Sequence, residues 1–168
     1  LRTRDREFNA RLLASGGRIL LDPKVHCWYY PRASLLHYLR WTWQGAFWVY
    51  YADRYTATRM RSWRNLAPMA LVLWTAATAG LLAAGFSWAW TLACPLVLYA
   101  TLVAGVAASA AIRRRQAAMF PALLLLFPAT HIAYGTGSIA GRLASWLLRG
   151  ERTPPPKHRQ AAAGKAAA

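Results

Sequence analysis

The run LAPMALVLWTAATAGLLAAGFSWAWTLACPLVLYATLVAGVAASAAI, Leu66 to Ile112, decides the fold. It contains no Asp, Glu, Lys or Arg, and a second run, Gln116 to Gly141, also contains none. A bilayer core takes about 20 apolar residues per helix, so runs of this length read as membrane spans rather than as a soluble core. Leu66 to Phe86 is the first expected span, and Trp90 to Ala111 is the second. Gly85-Phe86-Ser87-Trp88-Ala89-Trp90 between them is an uncharged turn with tryptophans suited to the headgroup level. Pro95, near the start of the second span, is tolerable there.

Charge is segregated around these runs. The 168 residues carry a formal net charge of +16. Arg54, Arg59, Arg61 and Arg64 precede the first span, and Arg113-Arg114-Arg115 follow the second. Both clusters flank apolar runs and match no nucleic-acid-binding motif, so their expected partners are membrane lipids and not nucleic acid. The positive-inside bias assigns both clusters to the cytoplasm.

The third apolar region, 116–148, poses a problem in charge arithmetic. One plain crossing would leave Arg142, Arg149, Arg152, Lys157, Arg159 and Lys165 outside, against Glu151 alone. Two crossings need about 40 apolar residues, and the region supplies 33 (116 through 148). Pro128 and Tyr134-Gly135-Thr136-Gly137 lie near its middle. The expectation is therefore a broken or re-entrant segment with a cytoplasmic C-terminus. The expected total is two to three transmembrane helices. The tail 149–168, rich in Pro, Ala and basic residues, is expected to be disordered.

Before the spans, residues 33–64 are expected to form an interfacial helix. Tyr38, Trp41, Trp43, Phe47, Trp48, Tyr50, Tyr51 and Tyr55 surround it. Such a ring of aromatics suits a helix lying flat in the headgroup region, where Arg can snorkel. Residues 1–32 are polar and patterned differently. Phe8, Leu12 and Leu13 recur at helical spacing, which predicts a short amphipathic helix over 3–15 ended by Gly16-Gly17. Arg18 to Leu21 and Val25 to Tyr30 then read as two strands joined at Asp22-Pro23 and closed by Pro31. A lone hairpin needs a partner surface, and a chain starting at Leu1 within a helix is expected to be a fragment. Cys27 and Cys94 have no metal-ligand spacing and read as unpaired thiols.

Several polar residues stand out. Asp5, on the residues alone, is a helix-start carboxylate favoured by the macrodipole. Glu7 and Arg11 are spaced for an i, i+4 ion pair. His37 is an interfacial polar group, Arg40 a headgroup anchor and Trp41 one belt aromatic, unless they contact substrate. His131, within an apolar run, needs a partner or a polar cavity. Gly135, Gly137 and Gly141 suit close helix packing.

The pattern Asp5-x-Glu7-x-Asn9-x-Arg11-Leu12, Gly16-Gly17-Arg18-Ile19, Asp22-Pro23 and Tyr30-Pro31-Arg32 resembles family 2 glycosyltransferases, most of all the membrane-bound bacterial type similar to succinoglycan biosynthesis enzymes. Thr130-His131-Ile132-Ala133-Tyr134-Gly135-Thr136-Gly137 resembles an element near the C-terminus of that group. The resemblance implies that residues 1–32 are the last piece of a GT-A-like α/β catalytic domain. It implies that Asp5 is the catalytic base, with Arg4 standing where the family has Glu. His37-Tyr38-Leu39-Arg40-Trp41 matches the family's Gln-x-x-Arg-Trp element, with His for Gln, and implies that His37, Arg40 and Trp41 bind substrate. The implied substrates are a nucleotide-sugar donor and a lipid-linked or polysaccharide acceptor, used at the cytoplasmic face of a bacterial inner membrane. The family's Asp-x-Asp motif, which holds a divalent Mg or Mn ion, is absent from this sequence. The metal belongs to the complete enzyme, its ligands lie outside this chain, and the chain alone is expected to be inactive. The competing reading is a non-catalytic, basic membrane-anchoring or assembly module.

Overall fold

The structure, a computed structural model, describes residues 4–30, 33–52 and 63–148, the side chains of residues 4, 6 and 7 aside. It is helical throughout its ordered elements: α1 (Arg4–Ala14), α2 (Leu35–Tyr51), α3 (Leu66–Ala83), α4 (Cys94–Arg114) and α5 (Met119–Leu147). Short 3-10 turns at Trp63–Asn65 and Ser87–Ala93 lead into α3 and α4. Three stretches, Trp63–Ala83, Ser87–Arg114 and Met119–Leu147, are long and apolar enough to cross a membrane.

Sequence chemistry explains where the helices stop. After α1, Gly16 takes φ +81°, and the Gly17 and Gly16 amides donate to the Leu12 and Leu13 carbonyls at 2.9 and 3.1 Å. That is a Schellman closure, which satisfies carbonyls the helix end would leave bare. The same closure ends α3 at Gly85 and α4 at Arg115, whose φ of 53° is the left-handed region reached by a residue with a side chain. Pro68 and Pro95 fall in the first turns of α3 and α4, where the missing N–H breaks no bond.

Two expectations are corrected. Residues 17–30 form no strand, so the GT-A-like hairpin is not present among the described residues. The Asp22-Pro23 turn does form: the Lys24 and Val25 amides donate to the Asp22 side chain and carbonyl at 2.9 and 3.2 Å. The flanking runs nevertheless stay apart and exposed, with Leu20, Leu21 and Tyr30 each 90% exposed. Two short runs without a third strand or a covering surface gain too little from pairing.

The second correction concerns the third apolar region, which is one unbroken helix. Its 29 residues at about 1.5 Å rise reach roughly 43 Å, more than one bilayer core. Pro128 sits inside it without breaking it. A proline removes one N–H, which a membrane helix tolerates when local groups compensate. The carbonyl left without that N–H is Leu124's; the Thr130 and Thr136 hydroxyls donate further along, to the Leu126 and Ile132 carbonyls, both at 2.7 Å. No turn forms at Tyr134 to Gly137, and the glycines serve the close helix packing their spacing suits.

That packing is the core. α5 carries buried Gly135, Gly137, Ser138 and Gly141. A Cβ at Gly137 would overlap the Trp43 carbonyl oxygen, and one at Gly141 the Phe47 carbonyl oxygen. Contact advances four residues on both helices together, so α2 runs parallel to α5 along this seam. Thr42, Ala46, Val49 and Tyr50 form the buried face of α2. On the next face of α5, a Cβ at Gly135 would overlap the Pro68 carbonyl oxygen and lie 2.6 Å from Val72 Cγ2. Small residues thus let two backbones approach α5, the usual device where lipid supplies no hydrophobic drive. α4 packs on α5 as well, whereas α3 and α4 barely touch each other. α1 takes no part in these packed pairs. The Arg54, Arg59 and Arg61 cluster, Pro31, the Glu7 side chain and the 149–168 tail lie outside the described residues.

Candidate functional site

His37, Arg40 and Trp41 lie at i, i+3 and i+4 on α2 and are all exposed, Trp41 at 44%. At about 3.6 residues per turn they share one face, opposite the Thr42–Ala46–Val49 face that meets α5. The α2–α5 seam therefore fixes which way this triplet looks. An aromatic ladder stiffens the flank: Trp43 stacks on Phe47 at 5.5 Å, and Phe47 on Tyr51 at 5.2 Å between centroids. Trp48 meets the ladder edge-on and is half-buried. A cation, a ring donor and an indole plate on one face can pair with phosphate oxygens, hydrogen-bond a hydroxyl and support a sugar ring.

Asp5 is exposed near the start of α1. Because α1 does not pack with α2, the described structure does not bring Asp5 to the triplet. No three His, Cys, Asp or Glu side chains cluster among the described residues. These residues do not fit the divalent metal of a nucleotide-sugar site, and no step is derived through one. Cys27 and Cys94 are free and exposed.

A second polar feature lies deeper. Tyr99 Oη on α4 and His131 Nδ1 on α5 are 2.7 Å apart, with the rings 5.6 Å apart edge to face. Both line a cavity of about 470 Å³ between α3, α4 and α5. His131 thus has the partner its position demanded, beside a cavity that is otherwise mostly apolar. Tyr99 was missed from sequence, although a histidine in an uncharged run asks for a hydroxyl on a neighbouring span. Thr42 Oγ1 and Ser138 Oγ are buried with no hydrogen-bond partner among the described residues.

Comparison with protein-family models, with characterised proteins and with solved structures finds no match to this chain.

Proposed function

We propose that the chain is the membrane-embedded C-terminal portion of an inverting glycosyltransferase of the family 2 type. The enzyme transfers a sugar from a nucleotide donor to a lipid-linked or polysaccharide acceptor at the cytoplasmic face of a bacterial inner membrane. The observation that supports this reading is the outward triplet His37, Arg40 and Trp41, held by the glycine-cut seam between α2 and α5. Arg40 pairs with donor phosphate oxygens, Trp41 supports the acceptor ring and His37 hydrogen-bonds a sugar hydroxyl. Asp5 takes the proton of the acceptor hydroxyl as its oxygen attacks the anomeric carbon. The donor-binding half and its metal belong to the complete enzyme.

Sugar transfer from radiolabelled nucleotide sugars, in membranes bearing the gene product, tests the triplet. Trp41→Ala lowers acceptor use and leaves membrane attachment intact, while Trp48→Ala, inside the aromatic cluster, spares acceptor use. Identical behaviour of the two variants removes any special role for Trp41. Sugar transfer by the purified 168-residue chain alone contradicts the assignment of the donor site to another part of the enzyme.

One observation favours the second reading, a non-catalytic anchoring module. The α2–α5 seam and the α3 and α4 contacts form a packed unit with which α1 makes no extensive contact. Membranes with no nucleotide-sugar-dependent transfer and no metal-dependent donor binding select that reading.

A further inference from the structure

The Tyr99–His131 pair and the cavity it lines are not used by the sugar-transfer reading and stand independently of it. α3 and α4 both pack on α5 and on the 3-10 turn between them, yet barely on each other. The resulting gap measures about 470 Å³, within the roughly 300–1,000 Å³ of small-molecule sites. Ala67 and Ala70 on α3 open it, and the Trp74 indole walls it. That indole is fixed, because its Nε1–H donates to the Leu92 carbonyl at 2.8 Å. No residue lining the cavity carries a formal charge.

An ionisable side chain in a membrane span is costly, and packing alone would be served better by leucine. Tyr99 occupies one histidine nitrogen and leaves the other. With Tyr99 donating to Nδ1, the neutral ring carries its proton on Nε2, and that N–H is left to be met from the cavity. The opposite tautomer would leave the Tyr99 hydroxyl proton to be met instead, again by an acceptor in the same cavity. In the first case Nε2–H is one hydrogen-bond donor in an otherwise apolar chamber. A charged headgroup would find no counter-ion there, and a plain hydrocarbon would leave the donor unmet.

We infer that this cavity is a binding site for a single-chain lipid ending in a neutral oxygen acceptor, a long-chain alcohol, ester or ketone, with His131 Nε2–H donating to that oxygen.

A diazirine-bearing long-chain alcohol tests this on the 168-residue chain in phosphatidylcholine nanodiscs. Crosslinks are expected on the α3 and α4 residues that line the cavity. Unlabelled hexadecanol should compete and hexadecane should not. His131→Leu should reduce labelling about three- to tenfold, the worth of one net hydrogen bond, and Ala70→Phe, which fills the chamber, should abolish it. Equal competition by hexadecane, or labelling spread over all lipid-facing surfaces and unchanged in both variants, would overturn the proposal and leave only bulk acyl chains filling a gap. The competition in the unaltered chain decides the question even if a variant fails to fold.

Discussion

Gly137→Ala should separate α2 from α5 and destabilise the bundle. The added Cβ would overlap the Trp43 carbonyl oxygen and lie 3.0 Å from its carbon and 3.2 Å from Ala46 Cβ. These are backbone and short side-chain atoms, so no flexible group can swing aside and the helices themselves must part. Overpacking of this kind costs about 1–3 kcal/mol. Alanine returns up to about 1 kcal/mol through its higher helix propensity. The net expectation is a loss of about 1–2 kcal/mol. Gly105→Ala supplies the control, because a Cβ there meets nothing within 4 Å inside the same kind of apolar helix. It should gain up to about 1 kcal/mol. Reversible unfolding in mixed micelles, with a titrated denaturing detergent, measures both variants. If Gly137→Ala proves as stable as Gly105→Ala, the close backbone approach is not what holds α2 to α5.

Other predictions use the same apparatus. Replacing Arg115, which ends α4 at φ 53°, by Gly should leave the protein more stable than replacing it by Ala, by about 1 kcal/mol, since both remove the charge and only Gly relieves the left-handed strain. A double-mutant cycle of Tyr99→Phe and His131→Leu should give a coupling of about 0.6–1.5 kcal/mol; additivity within error would mean the 2.7 Å contact does not contribute. In the complete enzyme, Asp5→Asn should cut turnover by about 10²–10⁴-fold with donor binding preserved, and a loss under about threefold would remove the base assignment.

The spans were legible because the absence of charge over 65–112 and 116–141 is a signal independent of local conformation. The stop of α1 was equally legible where the Gly16-Gly17 pair dictates backbone geometry. Two features misled. β-branched and aromatic residues at 19–21 and 25–30 carry strand propensity, but pairing needs a covering surface that local sequence does not describe. Pro128 with Tyr134 to Gly137 read as a break, because in water those residues end helices. In an apolar helix one missing N–H is tolerated, and glycine-mediated contact packs the same residues against α2 and α3. Of the site, the His37, Arg40 and Trp41 spacing was visible, whereas their outward direction depends on the α2–α5 seam. The Tyr99–His131 contact joins residues 32 positions apart, which local patterns do not encode.

α5 is one unbroken helix, long and apolar enough to cross a membrane once. We propose that α3, α4 and α5 each cross the membrane, as their length and apolar character allow. Reporter fusions after Arg115 and after Lys165 test it most directly, using an alkaline phosphatase active only outside the cytoplasm and a fluorescent protein active only within it. The prediction is opposite sides: fluorescence without phosphatase after Arg115, and phosphatase without fluorescence after Lys165. Cytoplasmic signals from both fusions would contradict it and mean that α5 does not cross.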